Sequence, residues 1–371
     1  MILVVQPLPG IGDMIWHLPH IRALSRHFGE PVTLLAKPRS RADEIFVAED
    51  TVEDIIWVDR NPEGRQGEHD GPIGLVRLIR TLRARRFDAA VLLHHSPSLA
   101  FATMAAGIPV RHGYGVGPQR LFLNRSGYLP PGGMREHQFD RATIFLQAAG
   151  VPIKELEPYL PVSSVARETV GQRLVGRPRP IIAVGIGSSE PSRQWGSERF
   201  TALVHALLDA GWPCLALIGG PAEQAILEDM LGGLGTAATR VVPAMSWHLT
   251  ETAALLAESA FYVGNNTGAM NMAAAVGLRT YALFGTTPPF RHSSAIVPIV
   301  SPSGGPIDGM ARVSVEAVLE VVRADRGGLG PAGSSQNEHD LHHETRFSNI
   351  ADDSRDLNKL RFKARRDGRR F

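Results

Sequence analysis

One cysteine, Cys214, stands among 371 residues, so no disulfide can close within the chain. It sits in the apolar run Cys214-Leu-Ala-Leu-Ile218, which predicts a buried strand thiol and points to a reducing, cytoplasmic setting. Long apolar runs are missing as well. Gln6 and Pro7 interrupt the first one at once, and none approaches the ~18 apolar residues of a membrane span. Neither an ordinary secretory leader nor an integral membrane protein is therefore expected. Net charge is nearly absent, +2 over the whole chain, which excludes an overall electrostatic drive toward nucleic acid. No specific nucleic-acid partner is expected, and any charge signal must be local. What remains is an ordinary globular composition, 43% hydrophobic and 20% charged, long enough for about two domains at roughly 150 residues each.

Short apolar runs alternate with helical patterns, the arrangement of βαβ units on a parallel sheet covered on both faces. Residues 2–5, 32–35, 54–58 and 89–93 supply strands in the first half, and 181–184, 214–218, 260–263 and 280–284 in the second. A helix is predicted over 75–85, apolar at 75, 78, 79 and 82, and a last one over 313–322. The prolines at 152, 158, 161, 178 and 180 mark the boundary. The expectation is an α/β chain of two doubly wound, Rossmann-like domains, 1–160 and 161–326, facing a central cleft. Ligands of such sheets bind beyond the carboxyl ends of the strands, so the loops leaving the strands carry the interest. Residues 327–371 show no apolar period and turn basic from Arg355. They read as a solvated, disordered tail, with contact to membrane or nucleic-acid phosphates as the less favoured reading.

Three loops concentrate polar chemistry. Gly10-Ile-Gly12-Asp13 follows the first strand and opens a helix whose register is His17, Ile21, Leu24; Asp13 is either a helix cap or a catalyst. A dinucleotide fingerprint fails here, because Ile15 stands for the third glycine and Ala36 and Lys37 stand where an acidic residue should close the second strand. After the strand at 181–184 comes Gly185-Ile-Gly-Ser188-Ser189-Glu-Pro-Ser-Arg193-Gln-Trp195. Its hydroxyls, free N–H groups and guanidinium suit a pyrophosphate without a metal. The bland alternative is an exposed loop with Trp195 in the core. Gly264-Asn-Asn266-Thr267-Gly268-Ala-Met-Asn271 then opens a small-residue helix, where amides and helix N-terminal donors suit sugar hydroxyls and phosphate oxygens. His94-His95 lacks the carboxylate or cysteine spacing of a metal site and reads as acceptor contact or plain loop, and His339, His342 and His343 read alike as no site. Arg77, Arg80, Arg83, Arg85 and Arg86 form a basic helix face, either solvated or aimed at anionic lipid or a phosphorylated acceptor.

With Leu18-Pro19, Gly219-Gly-Pro-Ala-Glu223, Met245-Ser246 and Phe284-Gly-Thr-Thr-Pro288, these loops resemble glycosyltransferase family 9, the heptosyltransferases of lipopolysaccharide core assembly, over residues 1 to about 325. The resemblance implies a GT-B-like fold and inverting, metal-independent transfer of a sugar, heptose or related, with no cofactor. The donor would be a nucleoside-diphosphate sugar such as ADP-heptose, and the acceptor a glycan or glycolipid hydroxyl. The setting it implies is cytoplasmic, with peripheral contact at the inner membrane. By the same resemblance Asp13 is the general base; Ser188, Ser189 and Arg193 hold the donor phosphates; Glu223 meets the ribose and Met245 the adenine side. Thr267 and Gly268 belong to the diphosphate loop, flanked by Asn266 and Asn271. Two departures stand out: Asn266 and Asn271 replace the family's aspartate and histidine, and Arg193 replaces its usual lysine. The alternative is a noncatalytic sugar-nucleotide-binding or protein-interaction module, which Asp13 disfavours and the two asparagines favour.

Overall fold

A computed structural model describes residues 1–61, 64–188, 190–285, 287–289, 292–301 and 309–330. Strands β1 (Ile2–Gln6) and β2 (Val32–Ala36) are buried at every position, as parallel strands covered on both faces require. With β3 (Val52–Trp57), β4 (Ala89–Leu92) and β5 (Val110–Gly113) they form a parallel sheet of order β3-β2-β1-β4-β5. The second sheet, also parallel, joins β6 (Ile181–Gly185), β7 (Cys214–Gly219), β8 (Val241–Met245), β9 (Ser259–Asn265), β10 (Thr280–Phe284) and β11 (Ile296–Val300) in the order β11-β10-β9-β6-β7-β8. Three of these strands, β5, β8 and β11, are not anticipated by the sequence. All three are edge strands, exposed enough to lack a continuous apolar run, and Pro243 and Pro298 are tolerated in β8 and β11 for the same reason.

The helices are α1 (Ile11–Phe28), α2 (Ala42–Ile45), α3 (Gly71–Arg85), α4 (Pro97–Ala105), α5 (Gln138–Ala148), α6 (Ser164–Arg173), α7 (Ser197–Asp209), α8 (Gln224–Leu234), α9 (Leu249–Ala257), α10 (Gly268–Ala275) and α11 (Val315–Arg326). His17, Ile21 and Leu24 are all buried on α1, as its register predicts. Cys214 is buried in β7. Gly327 ends α11 in the left-handed conformation, while the tail from 331 onward lies outside the described residues. No helix of the described residues is long and apolar enough to cross a membrane.

Both strand orders reverse once, between β1 and β4 and between β6 and β9. Those reversals open a crevice at the carboxyl ends of the strands, and the loops singled out above leave from three of these four strands. Both sheets belong to one compact unit, Met1–Gly330, and one apolar cluster runs from Val4 and Leu18 to Met270 and Ala274. We propose that two folding units divide at 160/161, where the Leu160 N–H donates to Ala275 O (2.8 Å).

At the second reversal Gly185 and Gly264 face each other across β6 and β9. A Cβ on Gly264 would lie 2.8 Å from both the Cα and the amide nitrogen of Gly185 and closer still to its carbonyl oxygen. Backbone in mid-sheet cannot step aside, so Gly264→Ala is expected to cost about 1–3 kcal/mol. Denaturant unfolding of that variant checks it, and an unchanged midpoint would show that the strands can part.

Candidate functional site

Asp13 is the third residue of α1, and its Oδ2 accepts the Gly10 N–H at 3.0 Å. It is therefore a cap, as one of its two readings holds. Capping uses one oxygen. Burial pushes its carboxyl above the ordinary aspartate range, offset by the Gly10 N–H and by the positive charge of Arg193. Arg193 thus acts electrostatically on a carboxylate 180 positions away in sequence, from the loop after β6.

The first turns of α1 and α10 meet face to face. A Cβ on Gly12 would lie 2.8 Å from Asn271 Nδ2, and one on Gly268 3.1 Å from Ile11 Cβ, so both glycines permit this close approach. Trp16 Nε1 donates to Asn271 Oδ1 (2.7 Å), while Asn271 Nδ2 donates to Thr267 O (3.0 Å). The amide at 271 therefore ties the helices together, where the sequence suggests only a donor contact. Around Trp16 the rings of His137 (4.4 Å) and His292 (5.7 Å) stand edge-on. Nothing in the sequence signals that cluster, because its members come from three distant segments.

The residues that the resemblance assigns to the donor gather at the carboxyl ends of β6 to β9. Glu223 is buried, and its two oxygens accept the N–H groups of Gly220 (2.8 Å) and Ser188 (3.2 Å), tying the loops after β7 and β6 together. The Ser188 hydroxyl donates to Glu190 O (2.6 Å), Glu190 pairs with Arg193 at 3.1 Å, and Ser189 lies outside the described residues. Met245 packs over Gly219, where a Cβ would meet its Cε at 2.8 Å. Asn266 is buried and donates to the Thr287 hydroxyl (3.0 Å). Thr267 precedes α10, and the buried Tyr262 phenol behind that loop donates to Asn265 O (3.4 Å), its pKa raised by burial.

Asn265, which the sequence groups with Asn266 as a ligand-facing amide, turns inward instead. Its Nδ2 donates to Gly187 O (3.1 Å) and Gln194 Oε1 (3.1 Å), and Gln194 Nε2 donates to Ile186 O (3.0 Å). Trp195 is fully buried and donates to Val313 O (2.7 Å). The loop carrying Ser188 and Arg193 is therefore pinned at both ends, which suits recognition of a charged group without reorganisation. His94 and His95 brace the loop after β4: His94 O accepts from Gln119 (2.8 Å), and the His95 ring meets Val116 O at 2.9 Å. Among the described residues no group of three His, Cys, Asp or Glu is placed to hold a metal ion.

Comparison with known proteins finds a match to the family model "Glycosyltransferase family 9 (heptosyltransferase)" over residues 75–300. The chain is 26% identical to lipopolysaccharide heptosyltransferase 2 of Escherichia coli K12, covering 61% of this chain and 69% of that protein. It is 28% identical to lipooligosaccharide heptosyltransferase 2 of Haemophilus influenzae, covering 60% and 69%. In fold it is similar to the E. coli ADP-heptose lipopolysaccharide heptosyltransferase II, with TM-score 0.70 at 23% identity over 87% of this chain and 97% of that one. A family 9 glycosyltransferase from Veillonella parvula gives TM-score 0.73 at 18% identity, covering 87% and 96%. The two-sheet architecture is accordingly that of GT-B heptosyltransferases.

Proposed function

Because the chain belongs to glycosyltransferase family 9, we propose that it moves a heptose or related sugar from a nucleoside-diphosphate donor to a hydroxyl of a lipopolysaccharide-type acceptor. The family makes it a glycosyltransferase of lipopolysaccharide biosynthesis; the donor, the inversion, the metal independence and the cytoplasmic site of action are our reading. ADP-heptose is the donor its relatives suggest.

In this reading Asp13 takes the proton from the acceptor hydroxyl as that oxygen attacks the anomeric carbon. Burial raises its pKa and so makes it a stronger base, while the Gly10 N–H and the charge of Arg193 favour the ionised form in which it acts. The departing diphosphate gains charge as the glycosidic bond breaks. Arg193, the N–H groups of the pinned loop after β6 and the N-terminus of α10 stabilise that charge more in the transition state than in the ground state. Attack from the face opposite the leaving group inverts the anomeric centre. Glu223 and Met245, at the ends of β7 and β8, would meet the ribose and the base. The observation that carries the reading is the meeting of loops from the two sheets, the first turn of α1 with Asp13 set against the first turn of α10 and tied to it by Trp16 and Asn271.

Incubation with ADP-heptose and a heptose-deficient lipopolysaccharide core should release ADP and lengthen the acceptor. Tight nucleotide binding with no release under any acceptor would support the noncatalytic module, the reading that Asn266 and Asn271 favour. On the donor side, Arg193→Ala is expected to weaken ADP binding by calorimetry about 10–100-fold, the value of a charge-assisted hydrogen bond. Unchanged affinity would remove Arg193 from the phosphate site.

A further inference from the structure

Helix α3 presents an outward face that an ordinary soluble surface helix would not. Ile73 and Val76 are 73% and 45% exposed, and Arg77, Arg80 and Ala84 are exposed as well. At about 100° per residue these five positions share an arc of roughly 100°. That arc lies opposite Leu78 and Leu82, which are buried in the apolar layer under the first sheet. From Gly71 to Arg86 there is no acidic residue. Of the flanking carboxylates, Asp54 is engaged by Arg85 and Asp70 by Arg60. Arg83 reaches across to Ala105 O (2.6 Å). Among the described residues, Arg77 and Arg80 have no carboxylate partner.

We infer that this face of α3 is a docking surface for an anionic lipid bilayer. Apolar side chains at the start of the face enter the headgroup region, while the arginines one turn on meet lipid phosphates and lay their aliphatic stems along the surface. No aromatic side chain stands among the five residues of this face, whereas single-stranded nucleic acid takes an aromatic stacking platform. Position supports the same occupant. In a parallel sheet the helix after a strand starts at that strand's carboxyl end, so Ile73 and Val76 lie at the sheet edge from which the Asp13 and His94 loops also leave. A bilayer seated there would bring the glycan of a membrane lipid to the edge where Asp13 waits. The docking surface does not depend on the transferase reading, because its readout is vesicle association and not turnover.

The test is sedimentation of the full chain with vesicles of phosphatidylglycerol and phosphatidylethanolamine, against vesicles of phosphatidylcholine. The native chain should associate with the anionic vesicles and release in high salt. Ile73→Ser with Val76→Ser, and separately Arg77→Ser with Arg80→Ser, should each lower the partition coefficient about tenfold. The control pair Val165→Ser with Arg167→Ser, on α6, should leave it unchanged. All six positions are exposed, and thermal midpoints of the variants should match the native chain. If both α3 pairs bind like the native chain, the basic segment beyond Arg355 is the membrane contact and the inference is overturned. Equal binding to phosphatidylcholine, an equal loss in the α6 pair, or an arginine effect seen only on a labelled RNA overturns it as well.

Discussion

Asp13→Asn is expected to lower turnover about 10²–10⁴-fold, the usual contribution of a general base, while nucleotide affinity stays near native and folding stability does not fall. The stability half of this result follows from the sign of the pKa shift. Burial raises the folded-state pKa of Asp13 above its unfolded value. Between the two values the folded state holds the proton more tightly, so stability declines as pH rises through that window, and ionising the buried group is a net burden on the fold. Asparagine carries no charge, and its Oδ1 can still accept the Gly10 N–H. A residue kept only as a cap would therefore be replaced at no functional loss. Turnover with saturating donor, ADP affinity by calorimetry and the thermal midpoint together decide the matter. Native turnover in the variant would reduce Asp13 to its capping bond. In the native enzyme the acid limb of kcat should fall above the ordinary carboxylate range, because the base must shed its proton in a desolvated site.

The sequence made the central strands and their loops legible because burial on both faces writes a continuous apolar run. Ile2–Gln6, Ile181–Gly185 and Thr280–Phe284 are of that kind. Edge strands such as Val110-Arg-His-Gly113 do not write one, since half of their surface is open. At the site, Asp13, Gly12, Gly268 and Asn271 were readable as parts of two loops, but their meeting was not. It depends on how α1 packs against α10, and only the fold brings residues 12 and 271 together. Asn265 shows a different limit. Adjacent residues at the end of a strand point to opposite sides, so Asn265 and Asn266 look alike in sequence while one braces Gln194 and the other bonds Thr287. The apolar-and-basic face of α3 was half legible: its arginines follow the helical period, but the exposure of Ile73 and Val76 depends on which side of the helix the sheet covers.

Acid is expected to unfold the protein through its histidines before most carboxylates titrate. His17 and His20 are fully buried on α1. Burial pushes His17 down to about 4 against the hydrogen bond to Asp13 O, with nearby cationic groups adding to the fall, and lowers His20 as well. His94 and His292 are likewise pushed down to about 4, mainly by burial. A histidine with a lowered folded-state pKa takes up its proton first in the unfolded chain. The stability tied to it is complete above about pH 6.5 and is lost as pH falls toward 4. For His17 alone, the drop from 6.5 to about 4 corresponds to about 3 kcal/mol, and the others act in the same direction. Denaturant unfolding at pH 7 and at pH 5 should show a loss of several kcal/mol for the native chain. His17→Gln should start less stable at pH 7, because the bond to Asp13 O (2.7 Å) is altered, yet lose less on acidification. Parallel losses in both proteins would clear His17 of the effect. The outcome also bears on catalysis, since His17 hydrogen-bonds the carbonyl of the proposed base itself. Charging that ring as pH falls toward 4 loosens the first turn of α1, and the glutamine variant tells that effect from protonation of Asp13 itself.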